Sequence, residues 1–375
     1  MEPRLLKIAA EIISKADREH PADSVLRAEL RRHHNLSRDD SRRISRAVFT
    51  YFRWLGWLDS QKPLAGNIFI AEQLAEKFSR NSRTFSDDEL LAKAIPAWVK
   101  ECMEISVAWL RALQSEPKLW LRAKRECAGK IAKALGDCSL ATNTMLTDAI
   151  EYRGAQDLFR TPEFHNGDFE LQDISSQVVG VICDPKPGET WWDACAGEGG
   201  KLLHLSELME NKGLIWASDR AEWRLKKLKQ RTARAKVFNY RAALWDGGKK
   251  LPTKTKFDGV LVDAPCSGIG TWQRNPHARW TTSPNDVREL AEIQRVLLAN
   301  VADSVKPGGK LIYSVCTLSQ EETVGVAEFF QNERKDFQPI EMKNPFEPTK
   351  SARQLWFWPQ DFGGNGMFVA AWKRV

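Results

Sequence analysis

No stretch of the 375 residues approaches the roughly 20 apolar positions that a membrane-spanning helix needs. The start, Met1-Glu2-Pro3-Arg4, lacks the apolar core of a signal peptide. Cysteine is sparse, with seven scattered residues and no C-x-x-C pair. That argues against a disulfide framework or a zinc site and points to a reducing, cytoplasmic setting. The six histidines, His33 and His34 among them, show no ligand spacing, so no metal is expected. Internal repeats and low-complexity tracts are also missing, and no G-x-x-x-x-G-K-[ST] phosphate loop occurs.

What is present leans basic. A formal charge of +7 and a pI near 9.0 favour a polyanionic partner. Arginines crowd residues 31–46, and 224–236 is a second basic run; either alone reads as a solvated helix face.

Residues 1–90 read as a helical domain. Leu5, Ile8, Ile12 and Ala16 recur at helical spacing. A further helix starts after Ser37, with Asp40 at the third position to complete a capping box, and its buried stripe is Ile44, Val48, Tyr51 and Leu55. Arg38, Arg42, Arg46 and Arg53 lie largely off that stripe and can face phosphates. The polar residues 79–88 read as a loop. Residues 91–168 suggest a small α/β connecting module, with a helix through Trp98, Val107 and Leu110 and a strand at 119–122.

From 169 to 375 strands and helices alternate. Strands are expected at 190–195, 214–219, 237–239, 257–263 and 310–316, with helices at 202–209 and 222–234 among those between them. The fold class is therefore α/β, a doubly wound, Rossmann-like parallel sheet preceded by the small module and the helical domain. Such sheets bind ligands beyond the carboxyl ends of their strands, and the motifs fall there.

The first strand ends in Asp193-Ala194-Cys195-Ala196-Gly197-Glu198-Gly199-Gly200-Lys201, where glycines let the backbone approach a ligand. Asp219, twenty residues after Gly199, stands where ribose hydroxyls are bound. A dinucleotide fingerprint would need a third glycine at Leu202, and Glu198 would repel a pyrophosphate but not a sulfonium cation. The fourth strand runs into Asp263-Ala264-Pro265-Cys266-Ser267-Gly268, and the fifth ends at Ser314-Val315-Cys316-Thr317. An acid and two thiols at adjacent strand ends suit covalent chemistry on a flat ring. Cys102, Cys127, Cys138 and Cys183 have no such company and read as structural. Trp272 and Trp280 flank Arg274 and Arg279, a combination suited to an unstacked RNA base, whereas Trp54, Trp57 and Trp98 read as core.

From about residue 95 to the C-terminus the chain resembles the RNA cytosine-5 methyltransferases of the Nol/Nop/Sun (Fmu) family, through the motifs above together with Ile95–Trp98, Gln172–Gln177 and Gly270–Pro276. The N-terminal part is similar to the NusB-type domain of the bacterial ribosomal-RNA members. The chain departs from the family pattern at Glu198, where proline is common, and at Val315, His277 and Ala123-Lys124. The final strand is expected at 367–372, and no C-terminal RNA-binding appendage is expected after it. The resemblance implies S-adenosylmethionine as cofactor, bound by Cys195 to Lys201, Asp219, Arg224, Asp246 and Asp263, with Asp219 on the ribose and Asp246 on the adenine edge.

For the chemistry, a thiolate adding to carbon 6 of cytosine makes carbon 5 nucleophilic toward a methyl sulfonium, and an acid must meet the charge at ring nitrogen 3. Position alone leaves open which thiol attacks, since a Pro-Cys loop also serves DNA cytosine-5 enzymes. The resemblance assigns attack to Cys316 and release of the adduct to Cys266, with Asp263 on the cytosine edge and Lys201 near the base or a thiol. An N-P-P-Y loop for adenine is absent. The expected protein is a monomeric enzyme acting on RNA, ribosomal RNA above transfer RNA. Its rival is a non-catalytic ribosome-assembly or antitermination factor on the same scaffold.

Overall fold

The structure, a computed structural model, describes residues 1–375. The chain forms two compact units, one of 1–117, 268–286 and 358–363, the other of 118–267, 287–357 and 364–375. No helix is long and apolar enough to cross a membrane.

The first unit is helical: α1 (Pro3–Lys15), α2 (Ala22–Arg32), α3 (Arg38–Arg53), α4 (Leu64–Arg80), α5 (Asp87–Lys93), α6 (Val99–Cys102) and α7 (Val107–Gln114). Ser37 and Asp40 form the expected capping box, with the Asp40 amide donating to Ser37 Oγ at 3.0 Å and the Ser37 amide to Asp40 Oδ2 at 3.1 Å. Leu5, Ile8, Ile12, Ile44 and Val48 close one core. Two expectations fail here. The segment 79–88 is not a simple loop: α4 runs to Arg80, a 3-10 turn covers Ser82–Thr84, and α5 begins after Ser86. Asn81 and Ser86 side chains accept from the Arg83 and Glu89 amides, so residues that read as loop formers are caps. The helix expected through Trp98, Val107 and Leu110 is two, because Met103 is extended and Ser106 caps α7.

A larger correction concerns Trp272, Trp280 and Arg279. Trp272 and Arg279 have no exposed surface, and the indole of Trp280 donates to the Phe52 carbonyl at 2.7 Å. Arg279 donates to the carbonyls of Arg53, Ala94 and Leu113 at 3.3, 2.9 and 3.0 Å. Burial, with the Arg53 guanidinium beside it, pulls its pKa down to about 9. These side chains tie the helical unit together and are not a platform for RNA bases. Aromatic–arginine interleaving looks the same in sequence whether it is buried or exposed.

The second unit holds two main sheets. In the smaller, β1 (Leu119–Ala123), β2 (Cys138–Leu140), β3 (Ala149–Tyr152) and β4 (Phe169–Leu171) lie in the antiparallel order β2-β3-β1-β4, with α8 (Ala128–Leu135) packed on them. After α9 (Ile174–Cys183) come β5 (Thr190–Asp193), α10 (Gly200–Leu208), β6 (Leu214–Asp219), α11 (Glu222–Ala235), β7 (Tyr240–Leu244), β8 (Phe257–Asp263), α12 (Pro284–Ala302) and β9 (Val305–Val315). The chain ends through α13 (Val324–Glu333), β10 (Phe337–Pro339), the hairpin of β11 (Met342–Asn344) and β12 (Glu347–Ala352), β13 (Gln354–Phe357) and β14 (Met367–Arg374).

The large sheet has the order β10-β14-β9-β8-β5-β6-β7, with β13 on β14. Strands β9, β8, β5, β6 and β7 are parallel neighbours, and β14 pairs antiparallel with β9. This is the expected doubly wound sheet. Strand β7 starts at Tyr240 rather than 237: Lys236 ends α11 in a left-handed turn (φ 59°), and the chain needs the next residues to reach the sheet. The basic run on α11 is not wholly solvated either, since Arg231 and Arg234 both pair with the buried Glu170.

Replacing Arg279 by Met takes the side-chain donor from the Ala94 and Leu113 carbonyls. The variant should lose roughly 3 kcal/mol or more of stability. A urea midpoint equal to that of the wild type would show that the buried guanidinium holds nothing.

Candidate active site

The order in which the chain adds strands reverses between the parallel neighbours β5 and β8: β6 and β7 lie to one side of this pair and β9 to the other. A crevice opens beyond the carboxyl ends at such a point. A cavity of about 460 Å³ lies there, lined from the ends of all these parallel strands. Of the residues expected from the sequence, Cys195, Ala196, Gly197, Glu198, Gly200 and Lys201 line it from the first loop. Asp219, Arg224, Asp246, Asp263, Cys266 and Cys316 line it from the others. Gly199 is the exception. Its φ of +87° makes the turn into α10, and a Cβ there would meet Leu228 at 2.8 Å.

Each wall follows from local bonding. The Ala196 amide donates to Ser218 O at 2.8 Å, and the Gly197 amide to Asp219 Oδ2 at 3.0 Å, which fastens the glycine loop to the end of β6. Asp219 Oδ1 also accepts the Ala221 amide at 2.8 Å, so this carboxylate is oriented from both sides. Glu198 is paired with Lys227 at 2.8 Å, and Asp246 accepts the Gly248 amide within its own turn at 2.8 Å. On the other side Lys201 Nζ meets Asp263 Oδ2 at 2.5 Å, and Ser314 Oγ donates to Asp263 Oδ1 at 2.8 Å. Burial works against the Lys201 charge, but Asp263 beside it keeps its pKa above the usual lysine value. Cys266 Sγ and Cys316 Sγ stand 3.3 Å apart.

Sequence reasoning missed two things. Asp193 served only to mark the loop, yet it lines the cavity, is 1% exposed and has neither carboxylate oxygen hydrogen-bonded. Burial, then the Asp263 carboxylate, pushes its pKa up to about 7. The sequence holds no sign of that, because it depends on three acidic strand ends meeting. The second is the buried network behind the thiols, centred on Glu322.

The residues suit S-adenosylmethionine. The left-handed Gly197 and Gly199 shape the tight loop that borders the cavity, and a Cβ on Gly197 would meet nothing within 4 Å. Asp193, Asp219, Asp246 and Asp263 line the cavity with carboxylates, favourable to a sulfonium and an ammonium group. No group of three or more His, Cys, Asp or Glu side chains is arranged to hold a metal ion.

Fold and site together define an S-adenosylmethionine-dependent methyltransferase. More particularly, the chain belongs to the 16S rRNA methyltransferase RsmB/F family, whose profile matches residues 180–373. It is 33% identical over 312 residues to a probable ribosomal RNA small subunit methyltransferase B of Synechocystis, covering 80% of this chain and 69% of that one. It is 30% identical over 243 residues to a mouse 28S rRNA (cytosine-C(5))-methyltransferase, covering 60% of this chain and 30% of the relative. Among solved structures, that of PH0851 superposes with a TM-score of 0.82 at 23% identity, covering 100% of this chain and 99% of the other, a likeness of fold.

The raised pKa of Asp193 has a signed consequence. In the folded chain the carboxyl keeps its proton up to about pH 7, whereas the unfolded chain loses it near 4. Folding stability attributable to this group therefore falls as pH rises between those values and stays low above them. Asp193→Asn removes the effect, so its advantage in unfolding free energy, read from urea titrations, should widen from pH 4 to pH 8, reaching about 2–4 kcal/mol. A gap that does not change with pH would show that Asp193 is ionised throughout.

Proposed function

We propose that the protein methylates carbon 5 of a cytosine in ribosomal RNA through a covalent adduct on Cys316. The observation that carries this reading is the pair of sulfurs 3.3 Å apart, facing the cavity beside the Lys201–Asp263 pair. Bound S-adenosylmethionine supplies an electrophilic methyl group; the chain does the rest.

In this reading Asp263 holds the cytosine edge. The Cys316 thiolate adds to carbon 6, forming a carbon–sulfur bond, and the Lys201–Asp263 pair brings a proton to ring nitrogen 3 as charge develops there. Carbon 5, now part of an enamine, takes the methyl group. Cys266 then serves the elimination. The carbon 5 proton passes to Cys266, the ring double bond re-forms, nitrogen 3 gives its proton back to the Lys201–Asp263 pair, and the carbon–sulfur bond breaks to return Cys316 as thiolate. Asp219 takes the ribose and Asp246 the adenine edge. Two thiols that must both stay reduced fit a cytoplasmic enzyme.

Cys316→Ala should abolish methyl transfer from labelled cofactor and form no adduct with RNA carrying 5-fluorocytosine. Cys266→Ala should accumulate an RNA-linked species on unmodified substrate. The opposite pattern reverses the two roles, and label entering transfer RNA but not ribosomal RNA replaces the substrate while keeping the chemistry.

The helical unit supports an RNA partner. Arg42, Arg46, Arg53 and Arg274, with Ser41, Ser45 and Phe49, line a cleft of about 500 Å³, with Glu116 paired to Arg46 at its rim. Changing Arg38, Arg42 and Arg46 together to Gln should weaken RNA binding across sequences and flatten its salt dependence, leaving cofactor affinity alone. An unchanged salt slope in the triple variant would assign this face to solvent.

A further inference from the structure

Glu322 has no exposed surface and does not face the cavity. Its Oε1 accepts the Ser267 amide at 2.8 Å and the Gln294 side-chain amide at 3.1 Å. Its Oε2 accepts the hydroxyls of Ser267, of Thr317 at 3.0 Å and of Ser319 at 2.9 Å. A buried carboxylate survives only when hydrogen bonds replace its water, and here donors from several segments do so.

Where those donors sit in the chain is the informative point. Ser267 follows Cys266, and Thr317 follows Cys316. The two hydroxyls also meet each other at 2.8 Å. Gln294 fixes the other flank of Cys266 by donating to the Pro265 carbonyl at 2.9 Å, and its own oxygen accepts from Tyr313 at 2.8 Å. The Tyr313 hydroxyl also lies 2.5 Å from the Glu322 backbone carbonyl, so its one proton is shared between these two oxygens. So one carboxylate holds the residue after each cysteine, and a partner of that carboxylate holds the residue before one of them.

We infer that Glu322 is a positioning residue that sets the separation of Cys266 and Cys316, by binding the loops after β8 and β9 to one buried carboxylate. The inference rests on the two-thiol reading above but concerns geometry that can be measured without RNA. The backbone ladder between β8 and β9 ends with the Ala264 amide donating to the Ser314 carbonyl at 3.0 Å, two residues before each cysteine, and beyond it the shared carboxylate is what joins the two irregular loops. The pattern Ser319-Gln320-Glu321-Glu322 before α13 would ordinarily be taken as a capping box. Its carboxylate turns inward instead.

Glu322→Gln is isosteric but puts an amide donor where the network supplies only donors. Phenylarsine oxide tests it, because the reagent condenses with two neighbouring thiols, forming two arsenic–sulfur bonds and releasing water. The wild type should bind one equivalent in a manner lost in Cys266→Ala and in Cys316→Ala. Glu322→Gln should lose at least about tenfold in arsenical affinity and in kcat, with cofactor affinity unchanged. If that variant does not fold, the double variant Ser267→Ala, Thr317→Val removes one hydroxyl from each loop and should show the same losses. Wild-type arsenical affinity and kcat in a folded variant would overturn the inference. If the arsenical result holds while Cys316→Ala still methylates RNA, the positioning stands and the two-thiol chemistry falls.

Discussion

Asp263 ends the central strand β8 and accepts at once from Lys201, on the helix that follows β5, and from Ser314, near the end of β9. Three neighbouring strands are thereby held at one level at the point where their order reverses. The glycine loop lies to one side of this junction and the two cysteine loops to the other. Removing the carboxylate would strand a buried ammonium and free the edge that the cytosine is proposed to meet. A single side chain thus serves both the sheet and the cavity, and the cofactor wall and the thiol wall are positioned relative to each other through it.

Much of this was legible because strand ends carry their chemistry with them. Asp219, Asp263 and Cys316 each close or follow an apolar run with strong strand character, so an alternating pattern of strands and helices was enough to place them on one edge. Helix caps were legible where they were local, as at Ser37 and Asp40. What could not be read were side chains whose meaning depends on distant partners. Arg279 looked like a nucleic-acid contact because its neighbours are aromatic, and only the fold reveals that it faces carbonyls of Arg53, Ala94 and Leu113. Asp193 and Glu322 are both buried carboxylates with no local signature; one lacks hydrogen-bond partners and the other is saturated with them.

That contrast between the two acids fits a division of labour. An unsatisfied carboxylate against the cavity costs folding energy and leaves bonding capacity for a ligand, whereas a saturated one behind the wall gives rigidity and takes no part in binding. The first kind of residue trades stability for affinity and the second makes geometry reproducible from one turnover to the next.

The helical unit is discontinuous, since residues 268–286 and 358–363 belong to it although β5 to β8 are made in between. Arg279 arrives on the first of these late segments, and the three carbonyls it satisfies are synthesised long before it. During translation the N-terminal helices must therefore wait, with those acceptors open to water, until four of the eight strands of the large sheet have left the ribosome. A fragment cut at residue 117 would wait indefinitely, so the natural boundary visible in the chain is not a boundary at which the protein can be divided.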